Sequence, residues 1–269
     1  MKKYLIIVLI IITLIKNMSA GWVIQVRYTN PEGDFSFEAI EIQNYKLRST
    51  GTDGVFIFDL TNNTLTIVNE LDKTFLQYEI SEVRKAYFDA TRKFLDEVLK
   101  GMSASDQELY RMLFGDLENL YAPLDYKMLD SINITIETTG ETWEFLGFEA
   151  DEYLVFVNEE LKEHKWLAKT LDISDHMNIR KMREVFMEIS PAIGEEMWYQ
   201  YTDTYLSLNE IGFEMRSLDT EGQETLVISA EERELDDSVF SIPLNYRRIT
   251  IEEMMMTEFG KVESEMKKD

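Results

Sequence analysis

Histidine is the side chain that most often performs acid–base and metal chemistry near neutral pH, and this sequence holds two, His164 and His176. Neither has a second histidine at helical spacing, so the pattern gives no zinc site, and both are expected to be ordinary surface side chains. Cysteine is absent from the chain. That removes thiolate metal sites, a cysteine nucleophile, disulfides and the lipid-modified cysteine that tethers many exported proteins. The glycines stand singly in turns, with no Gly-x-Ser-x-Gly elbow, phosphate-cradling loop or dinucleotide fingerprint. Carboxylates are plentiful, 51 in all, but pairs such as Glu195-Glu196, Asp236-Asp237 and Asp151-Glu152 are what chance places in so acidic a chain. Nothing isolates one of them in an apolar pocket, as glycoside chemistry would need. Asp172-Ile173-Ser174-Asp175 offers two oxygens to calcium, yet it lacks the twelve-residue loop pattern and reads as a helix start. The expectation is a noncatalytic protein with no metal and no cofactor.

Aromatic residues are the more informative group. Phe56 and Phe58 share one face of a strand with Leu60, while Val55 and Ile57 line the other, so this strand is apolar on both sides. A strand of that kind needs a cover over each face. Phe56, Phe58, Tyr78 and Trp166 are the candidate lining of an apolar binding cavity; the competing reading is plain core, because apolar stripes usually just pack.

The elements that must position these residues begin after an export signal. Lys2 and Lys3 precede the apolar run from Tyr4 to Ile15, and Ser19-Ala20 closes the segment, the pattern of a signal peptide cleaved after residue 20. The run is shorter than the ~20 residues a membrane span needs, so no stable span is expected after cleavage. Net charge is −24, and loss of Lys2, Lys3 and Lys16 brings it to −27. Such a surface repels phosphate backbones and anionic headgroups. Nucleic acid is therefore an unsuitable partner, and the compartment is read as periplasmic or secreted.

From residue 21 to 78 the sequence alternates short β-branched or aromatic runs with turn residues: Asn30-Pro31-Glu32-Gly33, Gly51-Thr52-Asp53-Gly54 and Asn62-Asn63. This is an antiparallel meander. Residues 81–120 change period. Val83, Tyr87, Ala90, Phe94 and Val98 recur at three- and four-residue steps, and Ser105 with Glu108 forms a capping box for a second helix, so a helical hairpin is inserted there. Strands are expected to resume at 132–137, 142–145, 153–157 and 164–168, with Thr139-Gly140 and Asn158-Glu159 as turns. A third helix is expected over 175–190, followed by strands over 205–210, 212–218 and 224–234. Residues 252–269 form a charged tail, and no Pro/Ser/Gly-rich linker divides residues 21–251, which read as a single α+β domain.

Several phrases together resemble the secreted bacterial family called domain of unknown function 4412, a relative of the lipoprotein carriers LolA and LolB. They are Asn44-Tyr45-Lys46-Leu47-Arg48, Ile57-Phe58-Asp59-Leu60, Ile67-Val68-Asn69 with Asp72-Lys73-Thr74-Phe75, Gly147-Phe148-Glu149-Ala150-Asp151-Glu152-Tyr153, Lys165-Trp166-Leu167-Ala168-Lys169 and Ile242-Pro243-Leu244-Asn245-Tyr246. The resemblance implies an antiparallel half-open β-barrel, LolA-like, with helices covering its concave face and a hydrophobic cavity between. Two functions follow as expectations. The first is a noncatalytic extracytoplasmic protein that binds an apolar ligand, an acyl chain or lipoprotein lipid, in the half-barrel cavity, so that its partner is a hydrophobic ligand or a lipidated protein. The alternative is a cell-envelope interaction module that uses its acidic surface and an open sheet edge.

Overall fold

The computed structural model describes residues 20–52, 54–100, 102–105, 107–108, 121, 129–189 and 195–257. Residues 1–19, most of the second helix expected within 81–120, and 258–269 of the expected tail lie outside the described residues. The described strands make one sheet in the order β12-β6-β5-β4-β3-β2-β1-β11-β10-β9-β8-β7. The first six are β1 (Gly21–Thr29), β2 (Phe35–Gln43), β3 (Lys46–Gly51), β4 (Gly54–Asp59), β5 (Thr64–Asn69) and β6 (Thr74–Glu79). The second group is β7 (Ile134–Phe145), β8 (Phe148–Val157), β9 (Glu160–Ala168), β10 (Phe213–Asp219) and β11 (Glu224–Arg233), with the two-residue β12 (Arg247–Arg248).

The meander forms where the turn residues predict it. Asn44 and Tyr45 join β2 to β3 with φ of 52° and 62°, and Asn158 and Glu159 join β8 to β9 with φ of 51° and 70°. Two consecutive left-handed residues match the twist of the flanking strands. Tyr45 is bulky for this conformation, and two backbone bonds hold it: its N–H donates to His176 O at 2.9 Å, and its carbonyl accepts from Leu60 N at 3.0 Å.

All neighbouring strands are antiparallel except β12 on β6, and β1 closes the two groups by pairing with both β2 and β11. The sheet remains open: β12 and β7 stand at its two ends. The antiparallel, helix-covered sheet is as expected from the sequence, and where a half-open barrel was expected the described strands form one large open sheet.

Helices α1 (Ile80–Lys100) and α2 (Ile179–Ile189) cover one face. Ile80 and Val83 from α1 and Met182 and Val185 from α2 join Trp22, Ile24, Val26 and Phe58 in the main core. Arg84 ties the two helices together, donating through Nε to Glu188 O at 3.0 Å and through a second nitrogen to Met187 O. These are carbonyls at the end of α2, where a cation opposes the helix dipole. Helix α2 starts at Ile179, later than the sequence reading, because Asn178 Oδ1 accepts from Lys181 N at 3.0 Å and caps it.

Two further expectations are corrected. Residues 205–210 are helical, in the short helices α3 (Asp203–Leu206) and α4 (Leu208–Ile211). Thr202 caps α3 by accepting from Tyr205 N at 3.2 Å, and Tyr205, Leu208 and Ile211, at helical three-residue steps, pack on Val155 and Leu167. The two strands expected around Thr139-Gly140 are one strand, β7, whose register with β8 shifts between Thr138 and Thr142. Gly140, at φ 77°, lets the chain bulge there without turning back.

Candidate functional site

The four sequence-predicted residues lie in one layer of side chains, the main apolar cluster. Phe58 and Trp166 are buried within it, and Phe56 and Tyr78 pack against it half-buried. Phe58 is on β4 and Trp166 on β9, with β3, β2, β1, β11 and β10 between those strands in the sheet order. The Phe58 ring meets Phe186 of α2 edge-on at 5.7 Å. Tyr78 Oη accepts from Ile251 N at 3.3 Å. Both faces of β4 are covered as anticipated. Phe56, Phe58 and Leu60 face the helices, whereas Val55, Ile57 and Val68 are covered by Phe75, Phe240 and Tyr246.

Two grooves lie away from these four residues. One, of about 510 Å³, has a mixed lining that includes Tyr45, Arg180, Glu210, Phe213 and Glu214. The other, of about 670 Å³, lies beside β4–β6 and is also mixed, with Val55, Val68, Phe75, Leu76, Ile249 and Met254 beside Glu70, Asp72 and Arg247. Met254, in the helical residues 251–257, gives it a polarizable wall suited to varied apolar partners.

The most polar buried arrangement was not anticipated as a site. On β9, Glu163 and Lys165 each keep only 6 % side-chain exposure, with their charged ends 2.9 Å apart. Lys165 also bonds Glu214 of β10, and its ammonium sits 5.1 Å from the Tyr205 ring centroid. Tyr205 Oη donates to Glu163 at 3.0 Å, Tyr199 Oη donates to the same carboxylate, and Gln200 Nε2 donates at 3.3 Å. Burial opposes charge on Glu163, but Lys165 and the phenol donors outweigh it and hold the carboxyl below its usual range. Burial likewise opposes charge on Lys165, yet Glu214, Tyr205 and Glu163 push its ammonium well above the usual lysine range. The set is a closed ion network with its donors satisfied; its lysine stays protonated and offers no nucleophile. The signal in the sequence is the alternation of Glu163, Lys165 and Leu167 with His164, Trp166 and Ala168, charge where an ordinary core strand has hydrocarbon.

The histidines depart from the surface expectation. His176 is buried with an unpartnered Nδ1. His164 is half-buried, 2.9 Å from Glu152 Oε1 through Nδ1, and stacks on Trp166 at 6.1 Å. Among the described residues, no group of three or more His, Asp or Glu is placed to hold a metal.

The ion network and His164 anchor the strands behind β7, the open end of the sheet. Ile134 and Ile136 of β7 pack inward on Val155, Leu167 and Leu208, and Trp143 meets Trp166 edge-on at 6.2 Å. The bulge is fastened to β8 by Thr139 Oγ1 donating to Glu152 Oε2 at 3.1 Å and Thr142 Oγ1 to Asp151 Oδ1 at 2.9 Å. Residues 137–144 are exposed throughout, with Trp143 47 % exposed. Among the described residues, β7 pairs only with β8, and Glu137, Glu141 and Glu144 enter no ion pair. The sequence shows these carboxylates but cannot show that their strand is the last in the sheet.

No family model matches the chain, and no curated protein does; the more specific expectation, domain of unknown function 4412, is thus unmatched. Solved structures give distant likenesses. PNGF-II aligns over 88 % of this chain and 32 % of its own at 9 % identity, with a TM-score of 0.37. MucB in its complex with MucA from Pseudomonas aeruginosa aligns over 87 % and 59 % at 12 % identity, with a TM-score of 0.39. A LolA superfamily protein from Nitrosomonas europaea aligns over 84 % and 91 % at 8 % identity, with a TM-score of 0.25. The chain spans about a third of PNGF-II and about three-fifths of MucB, and likeness this distant leaves its family unassigned.

Proposed function

We propose that the protein is a noncatalytic extracytoplasmic binding module that docks an extended segment of a partner protein along the edge of β7. The observation that carries this reading is the long exposed edge strand. An open edge presents a row of N–H and C=O groups that an added strand completes. Of the four aromatic residues expected to line a lipid cavity, Phe58 and Trp166 are buried in the main apolar cluster and Phe56 and Tyr78 pack against it half-buried. Charge selects the partner: Glu137, Glu141 and Glu144 on a chain of net charge −24 favour a basic segment and repel a second copy of this chain. The same carboxylates guard the free edge against self-association.

A photo-crosslinking residue placed at Glu144, and for comparison at Gln77 of the β12-covered strand β6, tests this in the cell envelope. The expected result is a discrete adduct from position 144, mapping to a basic extended segment, with none from position 77. Adducts equal at both positions, or absent from 144, overturn the reading.

A second reading has its own support in the 670 Å³ groove, whose size and apolar wall of Val55, Val68, Phe75, Leu76, Ile249 and Met254, flanked by Glu70, Asp72 and Arg247, suit an acyl chain with a polar head, since each buried methylene contributes about 0.8 kcal/mol. Titration with a fluorescent fatty acid checks it. Saturable binding weakened by Met254→Glu supports the groove, and no binding by the unmutated protein removes it.

A further inference from the structure

The chain enters the sheet with no slack. Gly21 is the first residue of β1 and is already buried, and β1 runs inside the sheet between β2 and β11. Gly21 stands opposite Arg233, while Trp22 faces Glu232 on one side and Ile42 on the other. A Cβ at position 21 would lie 2.4 Å from the Ile42 carbonyl oxygen and 2.8 Å from Gln43 Cβ, so the backbones approach as only glycine allows. Gln43 cannot easily yield, because its side chain accepts from Leu235 N at 2.8 Å and donates to Leu235 O at 3.1 Å. Ile24, three residues on, is fully buried.

This geometry bears on the Ala20–Gly21 bond, where small residues mark the end of the export signal. Peptidases take their substrates as extended strands, which requires residues on both sides of the scissile bond to be free of other pairing. Here the residues on the carboxyl side belong to an interior strand. Freeing Gly21 and Trp22 means breaking their pairing to Arg233, Glu232 and Ile42 and lifting the buried Trp22 side chain out of the core, so the cleavable form is a minor one. We propose, on the reading of residues 1–20 as a cleavable export signal, that the Ala20–Gly21 bond is hydrolysed only before β1 docks. Water adds across the amide, the C–N bond breaks, and a carboxylate is left on Ala20 and an ammonium on Gly21. Cleavage and folding therefore compete, and a chain that folds first keeps its apolar leader. The timing of folding sets the ratio of released to leader-bearing protein.

The test uses the full-length chain, folded and purified in detergent micelles, and incubated with bacterial signal peptidase. It runs beside a variant carrying a short Gly/Ser spacer between Ala20 and Gly21, and beside chain synthesised in the presence of the peptidase. Products are identified by mass and initial rates compared. The spacer variant and the nascent chain should be cut after Ala20, and the folded parent about a hundredfold or more slower, because cleavage then waits on a rare opening. A folded parent cut as fast as the spacer variant overturns the proposal. If neither the spacer variant nor the nascent chain is cut, the export reading itself is wrong, and the proposal falls with it.

Discussion

The two faces of β9 are buried by different means. One carries Trp166 and Ala168 into the hydrocarbon core with Trp22, Ile24 and Met215. The other carries Glu163 and Lys165 into an ion network closed by Glu214, Tyr199, Tyr205 and Gln200. Hydrocarbon contact is non-directional, so a neighbour can shift to fill part of a loss. A buried charge tolerates no such improvisation: it is stable only while each partner stays in place. The polar face therefore fixes where the segment from Tyr199 to Ile211 must sit, and the apolar face supplies the bulk of the burial.

The difference is broken most severely at Lys165. Lys165→Met is close in volume but leaves Glu163 and Glu214 without their cation, and about 4–5 kcal/mol of stability should be lost, as read by urea denaturation. A loss under about 1 kcal/mol would mean the network is no more than surface charge. On the hydrocarbon side, Phe58→Ala should cost about 3–4 kcal/mol through lost burial and a void. That figure sits low in its range because Phe186, against which Phe58 packs, is half exposed and free to move in. A near-neutral Phe58→Ala that alters fatty-acid uptake would instead make Phe58 a cavity wall.

Acidity sharpens the comparison without any truncation. Glu163 titrates below its usual range in the fold, so its contribution is present above the ordinary glutamate range and is lost as pH falls through its folded value. Lys165, Tyr199 and Tyr205 titrate above their usual ranges. Their contribution is present below the ordinary lysine and tyrosine range and is lost as pH rises through their folded values. Melting temperature followed against pH should fall at both ends. In Lys165→Met the acid limb should weaken or reverse, because an unpaired buried Glu163 prefers its proton. An unchanged acid limb in that variant would show that Glu163 does not depend on Lys165.

The smallest expected effects lie outside both faces of β9. Phe35→Ser, at a ring 63 % exposed, should change stability by no more than about 0.5 kcal/mol. Added salt should raise the melting temperature slightly by screening a surface of net charge −24. A fall would show that attractive pairs such as Arg27–Glu224 and Arg216–Glu224 dominate over the general repulsion.

What the sequence by itself determined is local. Turn residues and alternation give the meander β1–β6 nearly strand for strand, the three- and four-residue steps of Val83, Tyr87 and Ala90 give α1, and the two apolar sides of β4 announce that both are covered. Each signal lies within a few neighbouring residues. Where two periods compete over a short run the reading fails: Tyr205, Leu206 and Leu208 pass for a strand, and the cap at Thr202 with the bed formed by Val155 and Leu167 decides for helix. Tertiary structure alone decided that Lys165 meets Glu214 across 49 residues, that the four candidate aromatics, from distant strands, share one apolar cluster, and that β7 ends the sheet among the described residues. The physical reason is that pairing between distant strands is set by the simultaneous burial of all of them, and no short stretch of sequence carries the identity of its partner.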